Sequence, residues 1–238
     1  MTDDVADRLR ALGFASVEAE SRAGLVVEAR TAFTHAVGAP PRWGWFVPGR
    51  IEVFGKHTDY AGGRSLVAAV PRGFVVVAGP RPDRRVRVFD ARWRDVTEVD
   101  LHNEHTRFTG WANYVAVVAR RLAQNFPGAD LGAEVVVLSD LPRAAGLSSS
   151  SALVVAIATA LSRRARLDAR AEWQQAITSR LDLAGYLGAV ENGLTFGSLA
   201  GTSGVGTHGG SEDHTAILAG RPDRVSAYAY LPVRHLVD

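Results

Sequence analysis

The chain has 238 residues, 47% of them hydrophobic and 22% charged, with a formal net charge of +2 and no cysteine. A chain of this size buries a core without staples, and the missing cysteines exclude disulfides and zinc–thiolate sites. Arginine is scattered, with small clusters at "RPDRRVRV" and "LSRRARLDAR" but no dense patch with interleaved aromatics; the start "MTDDVADRLR" is no signal peptide and no apolar run reaches transmembrane length. A cytoplasmic protein that binds neither nucleic acid nor membrane is expected.

In chain order, "VEAESRAGLVVEARTAFTHAVG" has helical spacing and stops at Gly38. "APPRWGWFVPG" reads as a Pro-rich connection into a short aromatic strand. Beyond "GRIEVFGKHTDYAGG" come three strand-like runs, "SLVAAV", "GFVVVAG" and "VRVFD", with a fourth at "TEVDL". "TGWANYVAVVARRLAQNF" reads as an amphipathic helix capped by Thr109 and stopped by Pro127-Gly128. "AEVVVLSD" is a buried strand, and "SSSSALVVAIATALSRRA" and "AEWQQAITSRLDLAGYLGAVEN" are helices. "GLTFGSLAGTSGVGTHGGSEDH" is a glycine-rich loop; "AILAG" and "VSAYAYLPV" follow as strands. Strands first, then helices mixed with strands, is an α+β pattern: one domain over residues 1–238, a mixed sheet backed by helices.

"LPRAAGLSSSSAL", Leu141 to Leu153, follows a strand and opens a helix. The first turn of a helix leaves backbone N–H groups unpaired and favours an anion. Serine is a mediocre residue for a helix interior, so four in the first turn suit phosphate or metal contacts better than packing. Surplus serines around an N-cap are the structural alternative. The loop is neither a Walker A motif nor a G-x-S-x-G elbow. In "GRIEVFGKHTDYAGG" stands Lys56, the one lysine among many arginines.

"LPRAAGLSSSSAL" resembles the second motif of the GHMP kinases, and "PGRIEVFGKHTDYAGG" resembles the galactokinase signature P-G-R-x-N-x-x-G-E-H-x-D-Y-x-x-G. The two stand in the family's order, and the resemblance runs from Val47 to the C-terminus. It implies a fold like ribosomal protein S5 domain 2, and transfer of the ATP γ-phosphoryl group to a monosaccharide hydroxyl, the anomeric one in galactokinases, with Mg²⁺. Gly146, Leu147, Ser148, Ser149, Ser150 and Ser151 would then hold the ATP phosphates, and Ser150 would also bind the metal. "GGSEDH" matches the family's G-x-M-D-Q, which makes Asp213 the catalytic carboxylate and Arg50 its partner. Glu191 would complete the metal site, with Glu212 as second choice. The 22 positions from Glu191 to Asp213 exceed the family spacing, so the glycine-rich segment between them is an insertion, either a flexible cover or an idle loop.

At the sugar end, His57, Asp59 and Tyr60 keep the signature. Glu52 replaces its Asn, and Lys56 replaces its Glu, a donor-only cation for an acceptor-only anion. Lys56 either pairs with Glu52 or selects a sugar other than galactose. The family's third, glycine-rich motif is not found, so the C-terminal domain is expected to be absent from these 238 residues. The alternatives to a sugar kinase are a non-catalytic or truncated sugar- and ATP-binding regulator, and a GHMP kinase for a heptose or an acidic sugar. Protein partners cannot be named from the sequence.

Overall fold

The computed structural model describes residues 2–11, 13–103, 105–142 and 145–238. Arg143 and Ala144 of the serine loop lie outside them. Among the described residues the elements are α1 (Thr2–Ala11), α2 (Ser16–Val37), β1 (Trp43–Phe54), β2 (Arg64–Pro80), β3 (Arg85–Asp90), β4 (Asp95–Asp100), α3 (Trp111–Asn125), β5 (Ala133–Ser139), α4 (Ser149–Ala165), α5 (Ala171–Ala176), α6 (Arg180–Asn192), α7 (Glu212–Ala219), β6 (Ser226–Ala229) and β7 (Arg234–Val237).

The strands form one mixed sheet in the order β4-β3-β5-β2-β6-β7. β1 runs antiparallel along one edge of β2, while β5 and β6 take the other edge in succession. β3 and β5 are parallel and every other pairing is antiparallel. Alternation along β2 divides the core. Phe74, Val76 and Ala78 face the helices α3, α4 and α6, whereas Val75 and Val77 face Ala29 and Phe33 of α2. Burying each of these valines contributes roughly 1.5–3 kcal/mol. The α+β class and the mixed, helix-backed sheet are as expected.

Several boundaries differ from the sequence expectation. "SLVAAV" and "GFVVVAG" belong to one strand. Pro71 interrupts neither, because it lies opposite the β1 irregularity between Pro48 and Arg50, where no ladder partner is lost. The aromatic strand is longer than expected and carries the first half of the signature out to Phe54. Thr109 does not cap α3; the N-cap is Gly110. The expected helix over 171–192 breaks at Ile177–Ser179, where Ser179 accepts from Asp182 N at 3.1 Å and donates to Asp182 Oδ2 at 2.9 Å. "AILAG" is helical: the run is too short for periodicity to decide, and Ser211 with two acidic residues in the first turn starts α7.

The glycine-rich segment is an ordered strap through most of its length. Arg121 on α3 is fully buried and donates Nη2 to Leu194 O at 2.5 Å and Nε to Asn125 Oδ1 at 2.7 Å. Asn125 Nδ2 reaches Ala200 O at 3.0 Å, and Asn113 Nδ2 reaches Val205 O at 3.2 Å. Leu199 is buried and the Phe196 ring meets Tyr186 edge-on. Because one buried guanidinium satisfies the strap's carbonyls, Arg121→Ala should lower stability by roughly 2–4 kcal/mol. It should also open residues 194–205 to limited proteolysis. Denaturant melts and protease digestion read both effects; wild-type values in both would refute the anchoring role.

Candidate active site

β1, the serine loop and α7 converge at the N-terminal end of α4. Arg50 on β1 donates Nε and Nη2 to Asp213 Oδ1 at 2.6 and 2.5 Å, and Nη1 to Gly146 O at 2.8 Å. Its backbone N–H reaches Leu147 O at 3.2 Å. This close approach of strand and loop requires Gly49, since a Cβ there would lie 2.7 Å from Leu147 O. Ser148 Oγ donates to the other oxygen of Asp213, Oδ2, at 2.5 Å. The Asp213 carboxylate is therefore fixed from both sides by charge-assisted hydrogen bonds.

Ser148 adopts a left-handed conformation, φ 53° and ψ 49°, uncommon outside glycine, and its side chain makes no cap on α4. Its hydroxyl is turned to Asp213 and does not cap the first turn of α4. Ser149 is exposed and Ser150 half-buried, both facing cavities, while Gly146 and Leu147 form the turn that Arg50 holds. Ser151 points inward and is buried. Its Oγ lies 3.0 Å from Glu191 Oε2 and 3.3 Å from Asp213 Oδ2, a single proton between two carboxylates. His214 is also buried, with Nε2 3.1 Å from Glu191 Oε2 but without hydrogen-bond alignment.

Two cavities open from this point. The first, about 230 Å³, is lined by Arg50, Glu52, Lys56, His57, Asp59 and Glu212, with Asp213, Glu191 and the strap tip around them. The second, about 300 Å³, lies between the β3–β4 turn and the start of α3 and is lined by Trp93, Trp111, Ser149 and Leu153. Tyr114 and Ser150 line both. Burial, with Glu191 nearby, raises the Tyr114 phenol, and a bond to Ser150 opposes this. Ser150 and Glu191 line the first cavity together, two hard oxygen donors of the kind a magnesium ion takes. Among the described residues no three acidic or histidine side chains converge on a metal position.

The signature splits as the chain leaves β1. Asp59 is buried and its Oδ2 accepts from Glu212 N at 3.1 Å. A Cβ at Gly210 would lie 2.3 Å from that oxygen, so the glycine pair ahead of α7 permits the contact. Lys56 and His57 are exposed at the cavity rim, His57 with φ 60°. Among the described residues Lys56 makes no ion pair with Glu52. Tyr60 is 58% exposed and lies outside the cavity lining. Sequence reasoning did not single out Thr207 and His208, which line the same cavity from the strap. Nor did it assign Tyr114, Trp93 and Trp111; the first turn of the expected α3 was the available signal. Glu212 is 4% exposed, and burial together with Glu52 and Asp59 pushes its carboxyl up to about 8.

Residues 31–80 match the family profile described as the galactokinase galactose-binding signature, and residues 113–220 match the GHMP kinases N terminal domain. A galactokinase of Chloroflexus aggregans is 41% identical over 128 residues, 53% of this chain and 32% of that protein. One of Streptococcus mutans is 35% identical over 133 residues, 55% of this chain and 34% of its own. The chain thus spans about a third of the length of these curated relatives. Lactococcus lactis galactokinase, solved in complex with galactose, superposes with a TM-score of 0.66 at 25% identity, covering 87% of this chain and 50% of that one. A Methanococcus jannaschii mevalonate kinase shares the fold at TM-score 0.61 and 13% identity, over 83% of this chain and 57% of that one. No helix among the described residues is long and apolar enough to cross a membrane. The chain is thus similar to the galactokinase signature over residues 31–80 and to the GHMP kinases N terminal domain over residues 113–220, and the two matched segments meet at Arg50 and Asp213.

Proposed function

We propose that the protein is a galactokinase-like sugar kinase that transfers the γ-phosphoryl group of ATP to a monosaccharide hydroxyl, the anomeric one. The observation that carries this reading is the meeting of two cavities at Ser150 and Tyr114, with the Arg50–Asp213 pair on the side of the signature residues. The tryptophan-lined cavity suits the nucleoside of ATP, and the uncapped first turn of α4 suits its phosphates. The smaller cavity, with Asp59, Glu52 and the rim of Lys56 and His57, suits a polyhydroxylated ring.

In the transfer a sugar oxygen bonds to the γ-phosphorus as the bond from that phosphorus to the β-bridging oxygen breaks, and ADP leaves. Catalysis of this kind is chiefly positioning and charge neutralisation. Asp213 accepts the departing hydroxyl proton or orients the hydroxyl; with Arg50 and Ser148 already on its two oxygens, orientation is the part its geometry favours. Arg50 faces the developing phosphoryl charge from the other side of the carboxylate. Ser150 and Glu191 would hold a magnesium ion, which supplies neutralisation of the ATP phosphates. Ser151 orients Glu191 from behind through its hydroxyl.

Asp213→Ala should lower sugar-dependent ADP release roughly 10²–10³-fold, measured on galactose and a panel of its stereoisomers and uronates. Turnover equal to wild type would remove Asp213 from the mechanism, and no ADP release with any sugar by the parent enzyme would sink the kinase reading. Lys56 stands at the rim where the signature writes an acceptor. Lys56→Glu should therefore raise kcat/KM for galactose by about tenfold; an unchanged ratio would show that Lys56 does not select the sugar.

A further inference from the structure

Glu212 is the buried polar side chain of the sugar-side cavity that the mechanism above leaves unused. It is 4% exposed, lines the cavity, and its carboxyl makes no hydrogen bond to any described residue, although its backbone N–H is committed to Asp59 Oδ2 at 3.1 Å. It faces Glu52 and Arg50 from β1, Asp59 from the turn at Asp59–Ala61, Asp213 on its own helix and Tyr230 beyond β6. Arg50, the cation of that group, is already bound to Asp213. Glu212 stands where the G-x-M-D-Q form has methionine, and Glu52 where the signature has asparagine. Both departures put a carboxyl into one place, beside a third at Asp59. Burying acids without partners costs free energy that packing alone does not offset, and an unpartnered buried group aimed into a cavity marks a ligand contact.

We propose that Glu212 is a direct sugar ligand and a determinant of which sugar is accepted: its carboxyl, next to Asp59, hydrogen-bonds a ring hydroxyl that a methionine holds only by shape. The proposal rests on the sugar-kinase reading. Burial beside Glu52 and Asp59 pushes the Glu212 carboxyl up to about 8, and in its protonated form it donates as well as accepts, next to Asp59, whose Oδ2 accepts from Glu212 N. The pair can thus take one hydroxyl as donor and one as acceptor.

The test is equilibrium binding without ATP, by calorimetry, against galactose, glucose, talose, 2-amino-2-deoxygalactose and galacturonate. Glu212→Met should weaken the sugar that wild type binds tightest on the order of tenfold. Glu212→Gln, which keeps a donor, an acceptor and the shape, should stay within about threefold of wild type at pH 7. Wild-type affinity should fall as pH rises past about 8 and the acid ionises, and the Gln variant should lack that fall. The Gln variant keeps the test decisive should the Met variant not fold. Met or Gln variants with the wild-type affinity and the wild-type pH profile overturn the ligand role alone. A parent protein that binds none of the five sugars overturns the sugar-site reading, and this proposal with it.

Discussion

The site depends on one ion pair between residues 163 positions apart, Arg50 and Asp213. It is partly buried, with the two side chains 13% and 29% exposed, and it closes a loop through most of the chain. The same guanidinium holds Gly146 O, and the same residue's N–H holds Leu147 O, so strand β1 sets the position of the serine loop. The loop in turn gives its Ser148 hydroxyl to Asp213 rather than to a helix cap, and α4 is left with an open N-terminus. The open start of α4 and the Asp213 carboxylate are two ends of one hydrogen-bonded unit.

That unit also lies where the two cavities meet. Ser150 is two residues beyond Ser148 and lines both cavities, whereas Ser151 turns back to Glu191 and Asp213. Beneath Glu191, Val205 N donates to its backbone carbonyl at 2.9 Å, and Gly209 N donates to Asn192 Oδ1 at 2.7 Å. The strap is therefore tied to α6 as well as to Arg121. It is held between Leu194 and Val205 and brings Thr207 and His208 to the cavity.

Much of this was legible in the sequence because the residues involved have few substitutes. A P-G-R within a strand, a serine run at a helix start and an acid after paired glycines each state a local geometry, and the structure brings Arg50, Ser148, Ser150 and Asp213 together at the start of α4, with Asp59 lining the same cavity as Ser150. What was not legible depends on tertiary partners. Pro71 looks like a strand terminator until the irregularity opposite it in β1 is known. "AILAG" fits a strand or a helix until α7 is seen packed on α4 and α6. α1 carries a single buried residue, Ala6, and is polar overall, so little apolar content marks it in the sequence. Tyr60 keeps the signature letter but is exposed, and the burial of Glu212 beside Glu52 and Asp59 shows only in the folded chain.

The most direct measurement of the central claim is a double-mutant cycle on sugar-dependent ADP release, with Arg50→Ala, Asp213→Ala and the two combined. If the pair acts as one unit, the double variant loses no more than about what the worse single variant loses. Losses that multiply, as for two independent groups, would contradict it.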